Sequence, residues 1–414
     1  MSRARIVLAA AGGAAVVWFL VLEPVMTIAT LLGAVLLGAA YLYLVHFRRP
    51  SRVSTLAEVA DRAWHMVPLG PTTVSGDGSE YGLYVRRGSS PNLVVHFSGG
   101  GACWDDHSAA RPITPLRVAR GYTRDLRAFW MPSLTRLFPA GLTGLANRRD
   151  ASNAFRDWTI VHVPYTTGDL HLGDTVRTYT GARGPFDVRH NGRHNVMAAL
   201  RWVVENVPEP RKVLVAGESS GGWGAASYAP LVADHFDGAQ VYCLSDGVGL
   251  RSPRWPELVD GVWRADAARH LGFEVGTELY EDALTRRVDG PRTDIRYLHA
   301  TTLFDDTLPR FAAALDGRSA ATDESIDDWS GSTRATMARL ADAGLRYEYF
   351  LTDWGHDAGR HTTAHTLTTN GLFTRCRADG VTYAEWLERN VVDDENLSLG
   401  AHLLDPTPSR TRRD

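Results

Sequence analysis

The sequence predicts an α/β fold, in which helices flank a mainly parallel β-sheet. Short runs rich in Val, Ile and Leu alternate with longer helical stretches, the order expected when each strand is followed by a covering helix. Several of these runs are apolar at every position, which is typical of strands buried on both faces of a parallel sheet. The composition, 44% hydrophobic and 22% charged, is that of a globular protein.

The predicted elements all follow residue 50. The strands are Gly82–Arg86, Leu93–Phe97, Trp158–Val163, Val213–Ala216, Gln240–Leu244, Tyr297–Leu303 and Arg346–Leu351. The helices are Asn191–Asn206, Gly221–His235, Thr307–Leu315, Thr333–Ala343 and Tyr383–Asn390. The sequence shows no internal repeat, so residues 51–400 are interpreted as one large domain.

An apolar stretch precedes this domain and predicts a membrane anchor within residues 1–50. Glu23-Pro24 divides it into Ile6–Leu22 and Val25–Val45, each near the roughly 20 residues that a transmembrane helix needs. Arginines flank both outer ends, at positions 3, 5, 48 and 49. The positive-inside rule then favours a helical hairpin with a cytoplasmic catalytic domain at the cell membrane. A signal segment followed by one anchor is the alternative, and it would place the domain outside.

Charge and cysteine content exclude some functions. The 414 residues carry a formal net charge of -3, so the chain has no overall basic field that would attract nucleic acid. Three cysteines cannot form a closed disulfide framework, and their spacing does not match a zinc site. We therefore expect no metal and no cofactor. Residues 401–414 end in a polar, basic sequence that predicts a disordered tail.

The most informative segment is the G-x-S-x-G sequence around Ser219. An apolar strand precedes it and an Ala-rich helix comes after it, which is the context of a nucleophile elbow in an α/β-hydrolase. The turn is so sharp that side chains at Gly217 and Gly221 would collide with neighbouring backbone. Ser219 is therefore the candidate nucleophile, and the N–H of Ser220 is a candidate oxyanion donor.

A glycine run directly after the strand Leu93–Phe97 predicts the second part of an oxyanion hole. Glycine suits this position because a backbone N–H must approach the substrate oxygen with no Cβ in the way. Gly100 and Gly101 are the best candidate donors. Trp104, just after the run, and Trp223, just after the elbow, are candidates either for an acyl pocket or for simple core packing.

In their order along the chain, these motifs resemble those of the pectin acetylesterase/Notum family of carboxylesterases. The matching segments are Phe97–Asp105 (FSGGGACWD), Val163–Asp174 (VPYTTGDLHLGD), Asn195, Gly217–Ala225 (GESSGGWGA) and Leu244–Gly247 (LSDG). The resemblance extends from about Leu93 to Trp386. It implies an α/β-hydrolase fold and the hydrolysis of a carboxylic ester.

A serine hydrolase also needs an acid, which in this fold comes after the nucleophile in the chain. Asp305 and Asp306 lie just after the predicted strand Tyr297–Leu303. The pair Phe304-Asp305 resembles the aromatic residue and aspartate at the family's triad acid, so Asp305 is preferred and Asp306 is the fallback. The resemblance gives Asp246 a structural role near the site.

The base is a histidine beyond the last predicted strand, where His356, His361 and His365 all lie. His356 suits a direct exit from that strand. His365 is preferred because the residues after it resemble the segment after the catalytic histidine in bacterial members of the family. His356 is the alternate base, and His361 is the least favoured of the three.

These residues predict a serine esterase that cleaves an O-acyl ester, with acetyl as one candidate acyl group, through a Ser-His-Asp triad and an acyl-enzyme. The expected partners are a small-molecule or glycan ester and, through the N-terminal hairpin, a lipid bilayer. Two alternatives stay open at this level: an inactive membrane-bound binding protein on a hydrolase scaffold, and a serine peptidase of the same fold.

Overall fold

The computed structural model describes residues 50–404 except 61, 113–141, 319 and 320, together with positions 32, 33, 35, 36 and 39. The chain divides into two compact units, Met1–Arg49 and Pro50–Asp414. The predicted membrane segments, 6–22 and 25–45, lie outside the described residues apart from those five positions. Among the described residues, no helix is long and apolar enough to cross a bilayer.

The second unit is built on a mainly parallel sheet, which confirms the α/β part of the predicted fold. In the described residues the sheet has the order β1-β2-β3-β5-β4-β8-β9-β10-β11, and every pair from β5 to β11 is parallel. The strands are β1 Ser51–Arg52, β2 His65–Pro68, β3 Gly82–Arg86, β4 Leu93–Phe97, β5 Thr159–Val163, β8 Lys212–Glu218, β9 Gln240–Asp246, β10 Ile295–Thr302 and β11 Arg346–Thr352. Two small hairpins stand apart from the sheet: β6 Thr175–Gly181 with β7 Gly184–His190, and β12 Arg377–Ala378 with β13 Val381–Thr382.

Helices cover both faces of the sheet. They are α1 Asp106–Ala109, α2 Gly192–Asn206, α3 Ser220–His235, α4 Ala267–His270, α5 Leu279–Thr285, α6 Leu308–Leu315, α7 Asp323–Ala341, α8 Tyr383–Val391 and α9 Ala401–Leu404. Neighbouring residues of one strand enter different cores: Val213 and Val215 pack in the core that contains α2 and α3, whereas Leu214 packs in the core that contains α8. This explains the continuous apolar runs in the sequence.

Most predicted boundaries agree closely with the structure, and the exceptions have local causes. α7 begins at Asp323 rather than Thr333, because Thr322 caps it by accepting a hydrogen bond from the N–H of Ser325. The β6–β7 hairpin was not predicted. Residues Ala401–Leu404 form a short helix where the disordered tail was predicted to begin, and residues 405–414 lie outside the described part.

The carboxyl ends of β4, β8, β9 and β10 meet along one edge of the sheet. Ligand sites in open α/β sheets form outside the carboxyl ends of the strands. The residues directly after these strands therefore converge at this edge, and they include the predicted nucleophile, oxyanion donors and acid.

Candidate active site

Ser219 occupies a strained turn between β8 and α3. Its φ of 53° and ψ of -127° are unusual for a residue with a side chain, and such strain costs about 1–3 kcal/mol. Two backbone hydrogen bonds hold the turn: the Ser219 N–H donates to the carbonyl of Asp246, and the Gly222 N–H donates to the carbonyl of Ser219, both at 2.8 Å. The turn is thus fixed to the end of β9.

The glycines of the elbow are required by close backbone contacts. A Cβ at Gly217 would lie 2.0 Å from the carbonyl oxygen of Gly221. A Cβ at Gly221 would lie 2.1 Å from the carbonyl oxygen of Phe97 on β4. No side chain fits at these distances, which agrees with the collision predicted from the sequence.

Among the candidate bases, only His365 is hydrogen-bonded to a candidate acid in the described residues. Its Nδ1 lies 2.7 Å from Oδ2 of Asp305, a fully buried carboxylate. The other oxygen of Asp305 accepts the N–H groups of Thr307 and Leu308 at 2.8 Å, so the acid also caps α6. The capping role and the bond to the imidazole coexist because they use different oxygens.

The electrostatic environment suits a base. Burial of the ring lowers the pKa of His365, but the nearby carboxylates, Asp305 first and then Asp306 and Asp246, together outweigh this effect and leave the pKa above its ordinary value. The second ring nitrogen, Nε2, is buried and has no hydrogen-bond partner in the described part of the chain. With Nδ1–H donated to Asp305, this nitrogen carries the lone pair that a proton acceptor needs.

His365 lies beside the elbow, next to residue 247. A Cβ at Gly247 would be 3.2 Å from Cε1 of His365 and 2.6 Å from its carbonyl oxygen. Gly247 comes directly after Asp246, whose carbonyl accepts the Ser219 N–H. The imidazole of His365 and the candidate nucleophile Ser219 thus both contact the short segment Asp246–Gly247.

The other predicted candidates are engaged elsewhere. His356 is exposed and packs against the ring of Phe304, with 4.5 Å between ring centroids. His361 Nε2 lies 2.8 Å from Oδ1 of Asp327 on α7. Asp306, the fallback acid, accepts the hydroxyl of Thr307 at 2.8 Å. No hydrogen bond or ring contact among the described residues joins any of these three to His365 or Ser219.

The glycine loop passes directly against Ser219, the candidate nucleophile. A Cβ at Gly99 would lie 2.6 Å from the carbonyl oxygen of Glu218 and 3.1 Å from Cβ of Ser219. The N–H groups of Gly100 and Gly101 donate to no acceptor in the residues that the structure describes. Ser220 opens α3, so its N–H has no intrahelical acceptor either.

The segment Val163–Asp174 holds this loop in place. The hydroxyl of Tyr165 donates to the carbonyl of Gly101 at 2.7 Å, and the N–H of Cys103 donates to the carbonyl of Gly168 at 2.8 Å. Nε2 of His171 lies 3.0 Å from the carbonyl oxygen of Ser98. Burial lowers the pKa of His171 to about 4, so the neutral ring donates this bond.

The sequence that forms this arrangement is similar to that of a known family. Residues 70–250 fit the family model described as Pectinacetylesterase. Over these residues the chain resembles the pectinacetylesterase family. No curated protein is significantly similar to the chain. The similarity supports a carboxylic ester hydrolase, and the matched region contains the glycine loop, the segment that holds it and the elbow.

Two residues that the family motifs singled out have structural roles in this chain. The carboxylate of Asp169 accepts the N–H groups of His171 and Gly192 and the hydroxyl of Thr167. Asn195 exchanges two hydrogen bonds with the backbone of Val74. These contacts fix the family's PY-x-x-GD block and the start of α2 around the glycine loop.

The remaining aromatic and histidine predictions are resolved by burial. Trp104 and Trp223 both pack in the core on the α2–α3 face, where they meet Phe311 and Trp255 respectively. The spacing of His190 and His194, four residues apart, predicts two surface residues of the helix that contains Asn195, and for His190 this prediction is wrong. His190 ends β7 and is fully buried, with hydrogen bonds to Tyr179 and to the carbonyl of Thr167.

Sequence reasoning did not find the residues that hold the loops. Tyr165 and His171 lie in a segment that the family resemblance had marked, but their contacts to Gly101 and Ser98 join positions more than 60 residues apart. Nothing in the local pattern indicates such partners. The family motif was the one signal that could have found them, because its polar residues come directly after a buried strand.

Proposed function

We propose that the chain is a serine carboxylesterase that removes an O-acyl group through a Ser219–His365–Asp305 triad. The supporting observation is the hydrogen bond between Nδ1 of His365 and the buried Asp305 carboxylate, which leaves Nε2 without a partner among the described residues beside the elbow. In a Ser-His-Asp enzyme the carboxylate fixes the tautomer in just this way, so that Nε2 takes the serine proton.

The reaction proceeds in two steps. His365 takes the hydroxyl proton of Ser219 as the oxygen attacks the ester carbonyl, and the developing oxyanion accepts the N–H groups of Gly100, Gly101 and Ser220. His365 then gives the proton to the departing alcohol, which leaves an acyl-enzyme. Water, activated by the same imidazole, releases the acid and regenerates Ser219.

The raised pKa of His365 is consistent with this cycle. Asp305 stabilises the imidazolium that forms when the serine is deprotonated, which is the charge the mechanism creates. The N–H groups of Gly100 and Gly101, which have no acceptor among the described residues, complement the opposite charge on the oxyanion. The chain's own residues thus supply each part of the reaction, and no step is assigned to a metal or cofactor.

The substrate is an O-acyl ester of a small molecule or glycan, with acetyl as one candidate acyl group. We further propose that two transmembrane helices in the N-terminal segment anchor the chain in the cell membrane, with the catalytic domain on the cytoplasmic side. A reporter fused after residue 50 would test on which side of the membrane the domain lies.

Hydrolysis of p-nitrophenyl esters of increasing chain length, alongside peptide substrates, tests the reaction type. We expect ester hydrolysis in the wild type and a loss of at least about 10³-fold in Ser219→Ala. Ser220→Ala is the matched control, since it removes the neighbouring hydroxyl but keeps the backbone N–H. Cleavage of peptides alone would favour a peptidase, and inactivity on every substrate would favour a binding protein.

A further inference from the structure

The residues Thr363–Thr369, here called the histidine loop, cross the carboxyl ends of three neighbouring strands. One strand-end side chain holds the loop at each crossing. Over β10, the hydroxyl of Thr302 donates to the carbonyl of Ala364 at 2.7 Å. Over β9, Asp246 accepts the N–H groups of Leu367 and Thr368 at 2.7 and 2.8 Å.

Glu218 is the third of these side chains, at the end of β8. Its Oε1 accepts the hydroxyl of Thr369 at 3.2 Å. Its Oε2 lies 2.6 Å from Nε2 of His96, which is on β4 three residues before Gly99 of the glycine loop. Because Glu218 also directly precedes Ser219, one carboxylate is connected to the nucleophile, the oxyanion loop and the loop that carries His365.

The burial of the Glu218 carboxylate is energetically unfavourable, which indicates that the group has a function. Glu218 is 9% exposed and His96 is 2% exposed, and burying a charged group is unfavourable unless its partners compensate. In register, Glu218 is paired with Asp246 across β8 and β9, so two carboxylates stand side by side under the same loop. Core packing alone would be better served by apolar side chains.

We propose that Glu218 is a positioning residue that sets the place of His365 relative to Ser219 by holding both the histidine loop and the strand before the oxyanion loop. This inference rests on the proposed function, because the position of His365 matters only if it is the base. Glu218 touches no reacting atom in this account.

The proton arrangement identifies an informative variant. Oε2 of Glu218 lies 2.6 Å from Nε2 of His96, and Nδ1 of His96 lies 2.8 Å from Nδ1 of His162, so one proton joins the two imidazoles. Burial keeps the pKa of His162 well below its ordinary value, which supports its neutral form. In Glu218→Gln the amide oxygen can accept the hydroxyl of Thr369 and the amide N–H can donate to Nε2 of His96, so both contacts persist without the carboxylate charge.

The experiment compares kcat and KM of Glu218→Ala, Glu218→Gln and Thr369→Val on a p-nitrophenyl ester. We expect kcat to fall about 30-fold in Glu218→Ala and about 5-fold in Thr369→Val, with KM within about twofold of wild type, since positioning acts on the chemical step. Glu218→Gln should restore most of the rate. The matched control is Thr178→Val, which removes an exposed threonine–carboxylate bond to Asp187 in the β6–β7 hairpin.

A double variant completes the test. If Thr369 acts through Glu218, Glu218→Ala combined with Thr369→Val should lose no more rate than Glu218→Ala alone. Unchanged kcat in Thr369→Val, or additive losses in the double variant, would overturn the proposal even if Glu218→Ala does not fold. A wild-type protein that hydrolyses no ester would instead refute the proposed function, so the two failures are distinguishable.

Discussion

The nucleophile elbow and the histidine loop are built in opposite ways. The elbow, Gly217–Gly221, depends on the backbone. A Cβ at Gly217 or Gly221 would lie only 2.0–2.1 Å from a backbone carbonyl oxygen, so the close approach of the chain requires glycine. The histidine loop depends on side chains, because Thr302, Asp246 and Glu218 reach it from three different strands. The elbow's requirement for glycine is local, so it is visible as a motif in the sequence. The side chains that hold the histidine loop come from distant parts of the chain, so their roles are visible only in the fold.

The largest effect is expected from a substitution in the elbow. In Gly221→Ala the new Cβ would lie 2.1 Å from the carbonyl of Phe97, so the elbow must shift away from β4. We expect a loss of at least about 3 kcal/mol in the free energy of unfolding, measured by denaturant titration, and no detectable esterase activity. Gly238→Ala is the control, because no atom lies within 4 Å of its added Cβ. Equal stability of the two variants would contradict the backbone account.

The acid gives the next largest effect. Asp305→Asn should lower kcat/KM about 10³–10⁴-fold, because the carboxylate no longer fixes the tautomer or stabilises the imidazolium. His365 must be neutral to act, so activity falls as the pH drops through its raised pKa. Removing the Asp305 charge lowers that pKa and moves the acid limb of the kcat/KM profile to lower pH. Asp306→Asn removes a charge that raises the pKa of His365 less than Asp305 does, so the acid limb should move less and kcat/KM at higher pH should stay close to wild type. A loss of kcat/KM as large as that of Asp305→Asn would transfer the acid role to Asp306.

A smaller effect is expected where Asp246 holds the histidine loop. Asp246→Ala leaves the buried N–H groups of Leu367 and Thr368 without this acceptor, at a cost of about 1–3 kcal/mol each. We expect a lower melting temperature and about a 100-fold loss of kcat as His365 moves. Asp246→Asn keeps an acceptor oxygen and should recover much of both. Full activity in Asp246→Ala would show that the histidine loop keeps its position without the Asp246 carboxylate.

The smallest effect concerns the oxyanion loop. Tyr165→Phe removes the hydroxyl that donates to the carbonyl of Gly101 and accepts the N–H of Leu170. We expect about a 10-fold fall in kcat as Gly101 loosens, with KM little changed. Tyr228→Phe is the control, because its hydroxyl bonds to the carbonyl of His171 rather than to the glycine loop. Similar kinetics of the two variants would show that Tyr165 contributes to stability and not to the position of Gly101.

Features that depend on local sequence could be predicted, and features that depend on long-range contacts could not. β3 and β4 match their predicted ranges, and the context of Ser219 could be interpreted correctly because strand, glycines and helix are adjacent in the chain. The choice between His356 and His365 stayed open, since it depends on which loop the ends of β9 and β10 hold. His190 was misplaced for a related reason: its partner Tyr179 belongs to a hairpin that the pattern did not reveal.

Labelling by a fluorophosphonate, with the modified residue identified by mass spectrometry, tests the central claim most directly. We predict a single adduct on Ser219, formed at least about 10³-fold more slowly in His365→Ala and at the wild-type rate in His356→Ala. An adduct on another residue, or a rate that depends on His356 and not on His365, would contradict the proposed triad.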